Sequence, residues 1–190
     1  MKTRNIFKKS ATTRNFLALL TVGLLTLSCS DDDDNPIAVD EEEVITTMTI
    51  TLTEGNNTVT LETRDLDGDG PDEPVITVGN LTANTTYTGA IVLLNETETP
   101  AENITLEVAE EDDEHQFFFD ASGAITSVTY NDEDGDGNPV GLSFTLITGD
   151  VGTGALRVTL RHVPKKPNDG TLADAGGETD IAQSFAITVE

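Results

Sequence analysis

The sequence predicts an all-β fold, an antiparallel β-sandwich of about eight or nine strands, with a β-barrel as the alternative. Three observations point there. Apolar residues and threonines alternate with period two in run after run. No stretch of the folded part carries apolar residues at helical spacing for more than about two turns. Clusters of Gly, Asn, Asp and Pro separate the runs, as turns require.

The elements follow in order. Met48, Ile50 and Leu52 alternate with Thr47, Thr49, Thr51 and Thr53. Val59 and Leu61 alternate with Thr58, Thr60 and Glu62. Thr is β-branched and suits the wet face of a pleated strand, so each run predicts a half-buried strand. Residues 90–94 (Ala-Ile-Val-Leu-Leu) are apolar throughout, which predicts a central strand covered on both faces. His115 opens a strand that runs into Phe117, Phe118 and Phe119. Further strands are expected over 125–130, 142–146, 156–160 and 185–189, joined by Greek-key connections. The chain has no Trp, so Phe117, Phe118, Phe119, Phe144, Phe185, Tyr87 and Tyr130 must supply the bulky packing.

The N-terminus has a different composition. Lys2, Arg4, Lys8, Lys9 and Arg14 precede an apolar run over 16–25 with no acid among them. That run is shorter than the roughly 20 residues a spanning helix needs, so 1–28 is expected to be a signal peptide. Cys29 is the sole cysteine. Thr26-Leu27-Ser28-Cys29 resembles a bacterial lipobox, with Thr26 where Leu is usual. The resemblance implies that Cys29 is acylated and begins the mature protein. A lipid anchor accounts for an unpaired cysteine in an oxidising compartment, and more than one acyl chain gives stable anchoring. The run Asp31-Asp32-Asp33-Asp34 resembles the acidic signal that sends lipoproteins to the cell surface, implying an outer-membrane anchor facing the exterior. Residues 29–43 read as the lipidated cysteine and an acidic disordered tether, broken by Asn35-Pro36 and ending in Asp40-Glu41-Glu42-Glu43. Residues 44–190 read as one folded domain.

The net charge is −25. Removing 1–28 takes away five basic residues and no acid, so the mature chain is more acidic still. Nucleic acid and anionic membrane surfaces are excluded as side-chain partners, since both need a basic patch. Cations and basic partners suit the charge.

The stretch from Val78 to Tyr87 resembles the Leu-x-x-x-Thr-x-Tyr corner of fibronectin type III domains. Tyr87 is the position that matches. The resemblance implies an immunoglobulin-like sandwich in which the Tyr87 hydroxyl ties a turn between strands.

Two loops carry cation-ligand spacing. Asp65, Asp67 and Asp69 before Gly70, and Asp132, Asp134 and Asp136 before Gly137, both read Asp-x-Asp-x-Asp-Gly. This spacing lets three carboxylates converge on one hard cation. It resembles the first half of EF-hand and dockerin calcium loops. The twelfth position is Ile76 in one and Ser143 in the other, so the usual bidentate Glu is missing. Calcium is therefore expected as a loop-stiffening ion completed by remote oxygens, with Asp72, Glu73 and Asn138 as donors. His115, directly after five acids, and His162 are candidates for a borderline metal such as zinc.

Catalytic motifs are missing: there is no Gly-x-Ser-x-Gly, phosphate-cradling Gly loop or His-Glu-x-x-His. The chain is expected not to be an enzyme.

Several segments together resemble a family of small uncharacterised bacterial surface lipoproteins. They are residues 64–71, 86–91, 94–98, 113–118, 130–134 and 176–181. Members often carry the label "type 1 periplasmic binding fold", which needs two α/β lobes that this chain does not show. The family resemblance implies company with a TonB-dependent outer-membrane receptor. Two functions stay open: an accessory lipoprotein that captures a nutrient or metal for such a receptor, and a structural or adhesive surface module.

Overall fold

The computed structural model describes residues 43–68 and 70–190. The leader, Cys29, the tether before Glu43 and Asp69 lie outside the described residues.

Nine strands build two antiparallel sheets. They are β1 (Thr47–Glu54), β2 (Asn57–Arg64), β3 (Val75–Val78), β4 (Thr86–Leu94), β5 (His115–Gly123), β6 (Ile125–Tyr130), β7 (Ser143–Thr148), β8 (Gly152–His162) and β9 (Glu178–Val189). One sheet has six strands in the order β3-β2-β1-β4-β7-β6, and the other has three in the order β5-β8-β9. The expected sandwich is what forms, and neither sheet closes into a barrel. Strands β1 to β4 make a Greek key, because β4 returns to lie beside β1 after the hairpins β1–β2 and β2–β3. The sandwich is lopsided, six strands against three, where constant-type immunoglobulin domains have four and three.

The period-two pattern explains the core. Met48, Ile50 and Leu52 of β1 are fully buried, as are Leu156, Val158 and Leu160 of β8. Phe117, Phe144 and Phe185 fill the space between the sheets. Burying each such side chain contributes about 1.5–3 kcal/mol. Thr63 donates from Oγ1 to Gln183 Oε1 at 3.1 Å, linking the six-stranded sheet to β9. Gly89 of β4 is needed because a Cβ there would sit 2.3 Å from the Phe144 ring.

The tyrosine corner forms. Tyr87 is buried at the start of β4, and its Oη accepts the Thr82 N–H at 2.8 Å. Leu81 bridges in parallel to Val189 of β9, so the β3–β4 connection touches the second sheet before returning.

Two features differ from the sequence reading. Residues 90–94 are central in their sheet but covered on one face only: Ile91 and Leu93 are buried while Val92 is 41% exposed. An antiparallel sheet in a two-layer sandwich keeps one wet face, and an apolar run does not reveal which layers are present. The other is a short helix, α1 (Ile104–Glu110). Asn103 caps it, accepting the Thr105 N–H at 3.2 Å. Ile104 and Val108, one turn apart, join the core cluster. Thr105 Oγ1 accepts the Leu93 N–H at 2.8 Å and fixes the helix to the end of β4. A second short helix, α2 (Leu172–Ala175), lies in the β8–β9 connection.

Candidate metal centre

The two histidines meet at one end of the three-stranded sheet. His115 shares the side-chain parity of Phe117, and His162 that of Leu160, so both point to the core face. The β5–β8 register pairs His115 directly with His162. Their rings stack with centroids 4.7 Å apart and planes within 5°. His115 is fully buried and His162 is 6% exposed.

Carboxylates close on this pair. Glu43 Oε1 lies 3.0 Å from His115 Nε2, and the Glu43 side chain is 3% exposed. Asp180 Oδ2 lies 4.0 Å from the same nitrogen, on a side chain 4% exposed. Asp180 is aimed there by a β-bulge. Arg161 pairs with Thr179 and Leu160 with Ile181, so no residue of β8 stands opposite Asp180. Glu114 Oε2 lies 3.7 Å from His162 Nε2 on the solvent side. One ligand atom each from Glu43, His115 and His162 lie mutually within 4.8 Å. A cavity of about 100 Å³ lined by Glu43, Glu178, Thr179 and Asp180 adjoins them.

The hydrogen bonding of His115 matters most. Its Nδ1 is 3.1 Å from the Glu111 carbonyl oxygen, which only accepts, so Nδ1 carries the proton. In the neutral ring the Nε2 lone pair then faces the Glu43 carboxylate. Two acceptors at 3.0 Å repel unless a proton or a cation sits between them. Histidine ligands commonly donate their second N–H to a backbone carbonyl in this way, which orients the ring. Ligand atoms on a tetrahedral zinc lie roughly 3.3 Å apart, close to this spacing. Glu43 Oε2 is buried with no hydrogen-bond donor among the described residues. Such an atom costs about 1–3 kcal/mol.

Backbone features hold the end of the sheet in place. Val163, after His162, has φ 46°, a strained conformation for a β-branched residue. Its N–H donates to the Glu114 carbonyl at 2.7 Å. Gly177, φ 70°, passes so close that a Cβ would lie 2.3 Å from the His162 carbonyl oxygen.

A second carboxylate group shares Glu43. Glu107 of α1 and its C-cap Glu111 are exposed, and each offers an oxygen within 4.8 Å of Glu43 and of the other. Burial first, then the Glu43, Glu111 and Glu102 carboxylates, push the Glu107 carboxyl above its usual value; His115 acts the other way.

In the second acidic loop the carboxylates accept from main-chain amides and from a lysine. Asp132 accepts the Gly141 N–H at 2.7 Å and the Ser143 N–H at 2.9 Å, one on each oxygen. Asp134 accepts the N–H groups of Asp136 (3.0 Å) and Asn138 (2.8 Å), and Lys166 Nζ stands 3.1 Å from its Oδ2. Burial alone would raise the Asp134 carboxyl, but the Asn138 groups, Lys166 and the Asp136 N–H outweigh it and lower it to about 2. Calcium ligands must lie within about 5 Å of one another. Among the described residues, Asp132, Asp134 and Asp136 form no such group. Asp132 thus caps amides, and Asp134 both caps amides and joins a buried ion pair with Lys166.

At the first loop, Asp65 and Asp67 line a hollow of about 230 Å³ with Asp72 and Glu73. Asp67 Oδ2 accepts the Asp72 N–H at 3.2 Å. Asp65 Oδ1 is buried with no hydrogen-bond partner among the described residues.

Sequence reasoning named both histidines and missed Glu43, Asp180, Glu107 and Glu111. Side-chain parity from Phe117 and Leu160 was the signal that places both rings on the core face. Glu43 was assigned to the tether on composition, yet its side chain packs against His115. Comparison of the chain with protein-family models, with curated proteins and with solved structures finds no match.

Proposed function

We propose that this chain is a lipid-anchored, outward-facing outer-membrane protein that binds a divalent cation of the zinc class without catalysis. Glu43, His115 and His162 are the ligands, and the Asp180 carboxylate stands 4.0 Å from His115 Nε2. Two imidazoles and carboxylates suit zinc and its neighbours, whereas calcium prefers oxygen donors alone. The three donors are buried, which suits holding an ion out of bulk water. The observation that carries the reading is the buried approach of His115 Nε2 to Glu43 Oε1. The taker of the ion is a TonB-dependent receptor in the same membrane, as the lipoprotein resemblance suggests.

The test is calorimetric titration of the chelator-treated chain with zinc, with thermal melts alongside. One zinc per chain is expected. At about a hundred times Kd it stabilises the fold by about 2.7 kcal/mol, a rise in Tm of several degrees. His115→Ala and His162→Gln both lose the ion. No uptake by the unaltered chain overturns the reading and leaves a structural or adhesive module.

A second reading has its own support. The orphaned Asp65 Oδ1 favours a structural calcium at the first acidic loop. Calcium uptake lost in Asp65→Asn but kept in His115→Ala separates it from the zinc site.

A further inference from the structure

We infer that the buried metal seat is loaded through an outer station formed by Glu107 and Glu111, with Glu43 passing the cation between the two. This rests on the zinc-class reading above and adds the route by which the ion arrives and leaves.

The geometry is that of two overlapping groups with one common member. The inner group, Glu43, His115 and His162, is almost wholly out of solvent. The outer group, Glu43, Glu107 and Glu111, has two exposed members. A hydrated cation reaches Glu107 and Glu111 from bulk water without any rearrangement. The two imidazoles are 0% and 6% exposed, and Glu43 is the carboxylate that belongs to both groups. Its Oε1 faces His115 Nε2, and its Oε2 is buried and unpartnered.

The local sequence works against stability, as a functional device does. A helix C-terminus is the negative end of the helix dipole and favours Lys or Arg there. The last turn of α1 holds no basic residue, and Glu110 and Glu111 stand at its end. Glu107 and Glu111 sit four apart, a like-charge spacing that destabilises an isolated helix. A cation held between them removes both penalties. Glu111, whose N–H closes this turn on the Glu107 carbonyl, also supplies the carbonyl that accepts from His115 Nδ1, so the outer station is built onto the inner one.

Glu43 has the freedom the step needs. The first main-chain hydrogen bond after it is that of the Thr46 N–H to the Leu94 carbonyl, at 3.0 Å. Its side chain is thus carried on three residues of chain rather than in the ladder of β1.

The kinetic consequence is specific. An outer station lowers the barrier in both directions, so its loss slows loading and release together and leaves the equilibrium nearly unchanged. The test follows cobalt(II) by stopped-flow absorbance in the full chain, which reports tetrahedral coordination directly. Release is read by mixing the loaded protein with excess chelator. The Glu107→Gln/Glu111→Gln double variant is expected to load and release about tenfold more slowly, with the same final spectrum and Kd within about threefold. The remote pair Glu54→Gln/Glu98→Gln removes the same charge and is expected to leave both rates unchanged. Equal rates in the unaltered chain and the Glu107/Glu111 variant overturn the outer station. Equal slowing by the remote pair also overturns it, since general charge steering would then be the cause. Failure of the unaltered chain to bind cobalt(II) or zinc instead removes the inner site itself, and the route with it.

Discussion

Tyr87 shows how one side chain converts a local motif into tertiary structure. Its ring is buried among core residues while its hydroxyl accepts the Thr82 N–H. Tyr87→Phe keeps the ring and leaves that amide without its acceptor. The expected cost is about 1–3 kcal/mol, read as a lower urea midpoint at unchanged m-value. The Leu81–Tyr87 spacing made this contact legible in the sequence because both partners lie within six residues. His115 is the opposite case. Its type and burial face could be read locally, but Glu43 is 72 residues away and Asp180 is placed by a bulge. Nothing in local spacing encodes either.

At the scale of elements, the connection from β6 to β7 and the connection after β8 are fastened by Asp134 and Lys166, side chains 1% and 7% exposed. Lys166 Nζ also donates to the Asp112 carbonyl, in the turn that leads from α1 to β5 and His115. The Asp134 carboxyl titrates at about 2 in the fold against 3.8 in an unfolded chain. A depressed carboxylate stabilises the fold above its unfolded pKa and loses that contribution as pH falls through the folded one. Stability linked to Asp134 is therefore present above about pH 4 and lost between about pH 4 and 2. Thermal melts across that window are expected to fall more steeply for the unaltered chain than for Asp134→Asn. The same fold slope in both would show that the pair is not coupled to folding. The sequence pattern of this loop could not separate calcium binding from amide capping, because Asp before Gly serves both. The distinction lies in where the donors come from, and Lys166 is 32 residues away.

The described residues form a six-over-three sandwich, in a chain whose net charge is −25. Like charges at this density repel in the compact state. Raising sodium chloride from about 0.01 M to 0.15 M shortens the screening length from about 30 Å to about 8 Å. In the presence of chelator, Tm is expected to rise over that range. A flat or falling Tm would mean that the acids are already neutralised by local partners. The same charge raises the concentration of cations near the α1 end, where Glu107 and Glu111 stand in solvent.

The sequence by itself determined the class of fold, the inner face of most strands and the two histidines as metal-ligand candidates. Alternation is a local property, and burial of one face is enough to impose it. It did not foresee α1, whose seven residues are too short a run for helical periodicity to stand out, nor β3, whose four residues (Val-Ile-Thr-Val) do not alternate. Only the tertiary structure decided that His115 meets His162, that Glu43 leaves the tether to join them, and that Asp132 and Asp134 bind amides and a lysine. Each of those outcomes depends on strand register, a bulge or a loop crossing. These are fixed by the packing of two sheets against each other rather than by any neighbour in the chain.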